Sequence, residues 1–78
     1  MDKGEANEDL NECINAGIYR LDKTSFRNSP LMTLYGVLVC FRDSYSYIGQ
    51  IIFDNSSSRK WIRTGIYTKK EFTEWTEL

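Results

Sequence analysis

The chain has 78 residues, ten of them basic and eleven acidic, with no histidine. Apolar residues at 41% and charged residues at 27% describe one small folded domain and exclude a disordered tail. The net charge of −1 argues against general nucleic-acid binding, which needs a basic field. Lack of histidine removes the commonest general base near neutral pH and the commonest metal ligand.

Taken in chain order, residues 1–8 read as a flexible, acidic N-terminus without the basic-then-apolar pattern of a secretory signal. Residues 9–78 read as a single domain. Asn7 is a candidate helix cap, with Glu8 and Asp9 in the first turn, where a helix dipole favours acids. Leu10, Cys13 and Ile14 then repeat at i, i+3 and i+4, and Gly17 ends the pattern, which predicts one short N-terminal helix. From Ile18 the period becomes two. Strands are expected at 18–22, 34–42, 46–54 and 59–65, with a short irregular closing strand at 72–78.

The segment 23–33 has no clean period and is punctuated by Asn28-Ser29-Pro30. LYGVLVCFR (34–42) is the strongest strand. Both its faces are apolar, which places it centrally in the sheet. Asp43-Ser44-Tyr45 and Asn55 to Ser58 read as turns, the latter because short polar side chains bond their own backbone. The expected fold is therefore mainly β with one short N-terminal helix (α+β), a small antiparallel sheet of about five strands.

Chemistry is sparse. No serine has a histidine to activate it, no glycine loop cradles phosphate, and no catalytic residue is assigned. Cys13 and Cys40 cannot build a structural zinc site by themselves, so neither a metal nor a cofactor is expected. No run is long enough for membrane insertion, and a soluble, non-enzymatic protein is expected. Recognition remains. Tyr45, Tyr47, Arg59, Trp61 and Arg63 form a candidate aromatic and cationic group, because sugar CH faces pack on flat rings while arginines donate to hydroxyls and carboxylates. On residue types alone, Trp61 as a core ring with arginines at the rim is the favoured reading.

The runs DLNECINAGIYRL, NSP, YGVLVCF, YIGQIIFD, WIRTG and FTEWTEL, in that order, cover about residues 9–78. This arrangement resembles the pyocin knob domain of bacteriophage tail fibres and phage-tail-like bacteriocins. The resemblance implies a mostly β, non-enzymatic structural module of a virion or tail-like particle. Its partners would be other fibre or tail chains, with a trimer in a longer parent fibre, and bacterial surface polysaccharide as a ligand. No ligand residues carry over from the family, and no heptad stalk is present to trimerise this chain. The alternative is a protein–protein interaction or spacer domain without glycan binding. Exposure of Trp61, Tyr45 and Tyr47 together would favour the glycan; a buried Trp61 would favour the spacer.

Overall fold

A computed structural model describes residues 1–78. Seven strands form one sheet: β1 (Asp2–Glu5), β2 (Gly17–Lys23), β3 (Leu34–Arg42), β4 (Tyr47–Asp54), β5 (Arg59–Ile66), β6 (Glu71–Phe72) and β7 (Thr76–Glu77). They lie in sequential order, with β6 and β7 both paired to β5. Strands β2 to β5 are an antiparallel meander, whereas β1 runs parallel to β2. No helix is long and apolar enough to cross a membrane.

Two expectations are corrected. The N-terminal helix does not form: only a single 3-10 turn, Leu10–Glu12, is present, and Asp9 rather than Asn7 caps it. The apolar stripe is real, since Leu10 and Cys13 are fully buried. Their carbonyls, however, do not continue a helix; Gln50 Nε2 donates to Leu10 O at 2.9 Å and to Cys13 O at 3.0 Å. A segment this short gains too few internal bonds to repay helix nucleation, and the tertiary bonds win. The sheet is likewise mixed and seven-stranded, not antiparallel and five-stranded. Residues 2–5 supply the parallel edge, with Ile18 N–H donating to Met1 O at 2.7 Å. The closing segment splits into β6 and β7.

The alternation of side chains gives the sheet two unlike faces. The inner face carries Tyr19 and Leu21 from β2, Leu38 and Cys40 from β3, Ile48, Gln50 and Ile52 from β4, and Trp61 and Arg63 from β5, all buried. Ala6, Leu10, Cys13 and Phe26, from the two long connections, cover it and complete the core. The outer face has no cover. Only 16 of 78 residues are buried, because a single irregular layer seals a single side of the sheet.

Strand β4 and its neighbours are closed by the stretch NSSSRKWIR. Asp54, 3% exposed, accepts from Ser57 Oγ at 2.7 Å, from Ser56 Oγ at 3.1 Å and from the Tyr35 N–H at 2.9 Å. Burial pushes the Asp54 carboxyl up, but the hydroxyls of Ser57 and Ser56 and the Tyr35 N–H outweigh it and hold the group below its usual value. The serines therefore brace a hairpin turn, with Ser58 at positive φ at its end. This turn sets Asp54 opposite Arg59, and with that pair every register on β5: Ile52 faces Trp61, and Gln50 faces Arg63.

Candidate functional site

Arg63 lies at the centre of the inner face of β5 and is 5% exposed. Its Nε donates to Gln50 Oε1 at 2.7 Å, which completes the relay from the 3-10 turn through Gln50 to β5. The guanidinium carbon is 3.9 Å from the centre of the Phe72 ring and 4.4 Å from that of Trp75. Both rings belong to the C-terminal segment. Phe72 is held by pairing with Gly65, and the chain then leaves the sheet at 73–75 so that Trp75 lies over the cation. The Trp75 indole N–H donates to Asn28 O at 3.0 Å, tying that ring to the 24–33 connection.

The Arg63 cation is under-satisfied. Nη2 is buried without a partner, and no carboxylate forms an ion pair with the residue. Burial pulls its pKa down to about 10, against the opposing pull of the Asp9 carboxylate, so it is still a cation at neutral pH. A groove of about 580 Å³ opens beside it, lined by Arg63, Trp75, Phe72, Trp61, Asn11 and Asn28 among others. Asn11 Oδ1 is the only other buried side-chain polar atom left without a partner.

The sequence-derived group Tyr45, Tyr47, Arg59, Trp61 and Arg63 is brought together only in part. Trp61 and Arg63 share the inner face, and Arg59 reaches the same side, its guanidinium 4.8 Å from the centre of the Trp61 ring. Arg59 is also committed to Glu77 through two bonds of 2.9 and 2.8 Å. Trp61 is a core ring at 4% exposure, not an open platform. Tyr47 stands opposite Ile66 on the outer face, about 17 Å along β5 from Trp61 at a strand rise near 3.3 Å per residue. Tyr45, 81% exposed, sits in the β3–β4 turn. Phe72, Asn11 and Asn28 were not among the expected site residues. Nothing in a local pattern marks them, because two separate connections and the short strand β6 deliver them to one place.

The outer face is the second feature. Ile18, Val39, Ile51 and Ile62 form one aliphatic row across four strands. Val37 and Phe53 pair on one side of it, and Phe41 lies over Gly49 on the other. A Cβ on Gly49 would stand 2.5 Å from that ring, so glycine is what lets Phe41 lie flat across the sheet. Tyr35 and Tyr47 extend the surface at its two ends. Ile18, Tyr35, Phe41, Tyr47 and Phe53 are each at least 36% exposed. The charged residues Arg20, Asp22 and Lys60 stand at the margins, on β2 and β5. Comparison with family models, with curated proteins and with solved structures finds no match to this chain.

Proposed function

We propose that this chain is a non-enzymatic assembly module whose bare outer sheet face docks on a second copy of the chain. The observation that carries this reading is the apolar surface centred on Ile18, Val39, Ile51 and Ile62, with Arg20 and Lys60 at its margins. Across four strands at about 4.8 Å and six residues of β3 it projects about 19 by 20 Å, on the order of 400 Å². That is within the roughly 300–600 Å² of the largest apolar patch on a typical monomer, a patch that is often functional. It supplies about half of the roughly 800 Å² per partner of a standard-size interface, with the polar rim left to supply the rest. An apolar centre with charge confined to the rim is the anatomy of such an interface.

Both sheet edges argue for face-to-face docking and against strand addition. One edge is β1, four residues with Lys3 and an irregular register; the other is two strands of two residues each. Edges so short and interrupted offer little to pair with. The buried Trp61 also favours the interaction reading over the Tyr45–Tyr47–Trp61 sugar platform. The pyocin-knob resemblance supplies a setting, a fibre in which copies of the chain stand side by side. The test is sedimentation equilibrium of the native chain and of Ile51→Asp. Self-association of the native chain at tens of micromolar, abolished in a variant whose circular dichroism is unchanged, supports the proposal. A native chain that stays monomeric into the millimolar range contradicts it.

A further inference from the structure

The groove over Arg63 lies on the opposite side of the sheet from the outer face, so it stays open when that face is covered. Three observations concern it. A buried guanidinium has a fully buried terminal nitrogen, Nη2, with no hydrogen-bond partner and no ion pair. A buried amide oxygen, Asn11 Oδ1, also lacks a donor. Both residues line one groove of about 580 Å³, a volume that suits a small ligand.

Buried charges are ordinarily paired, and a buried polar atom without a partner carries a desolvation cost of about 1–3 kcal/mol. The surrounding residues already fix Arg63. Gln50 holds Nε, and the Phe72 and Trp75 rings lie 3.9 and 4.4 Å from the guanidinium carbon, so the cation is fixed in the groove wall with Nη2 left unpartnered. A fixed planar fork of N–H donors matches a carboxylate, and the unfilled acceptor on Asn11 asks for an O–H or N–H nearby. The half-buried Trp75 ring in the lining offers flat apolar contact to a ring or short carbon chain.

We infer that this groove binds a small carboxylate bearing a neighbouring hydroxyl, with Arg63 receiving the carboxylate and Asn11 accepting from the hydroxyl. Such a ligand comes from two sources, a uronic acid residue of a polysaccharide or a free hydroxy acid. Nothing in the inference depends on self-association through the outer face.

Isothermal titration of the full chain with methyl β-D-glucuronoside, methyl β-D-glucoside and D-lactate tests it. The inference expects at least one of the two carboxylates to bind about tenfold more tightly than the neutral glucoside. Tighter binding of the glucuronoside than of lactate assigns the sugar source; the reverse assigns the free acid. Arg63 is part of the core, so two milder variants keep the test open should Arg63→Lys fail to fold. Asn11→Ala is expected to weaken the preferred carboxylate about tenfold. Glu74→Gln, which removes a rim carboxylate, is expected to strengthen it about threefold without affecting the glucoside. Equal binding of all three compounds, no heat with any of them at 20 mM (about a hundredfold above a 0.2 mM Kd), or indifference to both variants overturns the inference.

Discussion

The two faces of this sheet share the same strands and nearly the same apolar content, yet they are built to opposite ends. Inside, Leu38, Ile52 and Trp61 make a row of pairs across β3, β4 and β5, sealed by connections that fold over them. Outside, the next row, Val39, Ile51 and Ile62, is one residue away along each strand and has nothing over it. The difference is made by the connections and not by the strands. Two long irregular segments and the C-terminal tail all pack on one side, and they are held there by polar bonds: Gln50 to the 3-10 turn, Asp9 to Asn28, Trp75 to Asn28. Apolarity prepares both faces for burial; the buried polar relay selects which one this chain covers itself.

The contrast is broken most sharply by truncating one ring on the inner side. Trp61→Ala should cost about 3–5 kcal/mol in urea unfolding, enough to unfold much of a domain this small. Ile62→Ala, its outer neighbour, should cost less than about 1 kcal/mol when the chain is dilute and monomeric, and more when it is concentrated. Equal costs in dilute solution would remove the distinction between the faces. Next in size is Gln50→Ala, which strands two carbonyls and the Arg63 Nε and should cost about 3 kcal/mol. A loss within 0.5 kcal/mol (about the range of ordinary surface changes) would mean that the relay does not hold the cover in place.

A smaller effect appears with alkali. Burial pushes both thiols up, that of Cys40 from 9.0 to about 11, with the nearby Cys13 thiol adding to it. Each thiol is thus neutral in the fold. The associated stability is fully present below pH 9 and is lost as pH rises through about 11, amounting to about 2 kcal/mol for Cys40 by that pH. Cys40→Ala should flatten this part of the profile, and an unchanged alkaline slope in that variant would contradict the assignment. The Asp54 brace works in the opposite direction: its folded pKa is depressed, so its contribution is present above the ordinary value of 3.8 and fades as pH falls through the folded value. Asp54→Asn should reduce acid sensitivity while lowering stability at pH 7 by about 1–2 kcal/mol.

Much of the sheet was legible in the sequence because alternation and turn chemistry are local. The run 34–42 coincides with β3, and the spans of β4 and β5 differ from expectation by one residue each. The turn serines could be read for the same reason. What failed was what depends on distance. The helix pattern at Leu10, Cys13 and Ile14 reported burial correctly, but the backbone conformation was decided by Gln50, far along the chain. Strand β1 has no alternation to announce it. Two apolar faces on 34–42 placed that strand centrally, and it does lie between β2 and β4, but alternation cannot tell a covered face from a bare one.

At the site, Trp61 and Arg63 were legible as sharing a side. Tyr47 could have been excluded by counting: once Asp54 closes on Arg59, Gln50 falls opposite Arg63, and Tyr47, an odd number of residues from Gln50, must point the other way. Asn11 and Asn28 carry no such signal, because irregular connections bring them to the groove.

The central claim is that the outer face is an interface and the inner face is not. It is tested most directly by isotope-filtered NOE spectroscopy on a concentrated mixture of labelled and unlabelled chains. The prediction is intermolecular contacts among the methyl groups of Ile18, Val39, Ile51 and Ile62, with none from Leu38 or Ile52. Intermolecular contacts confined to other surfaces, or none in a sample shown to be associated, would contradict it.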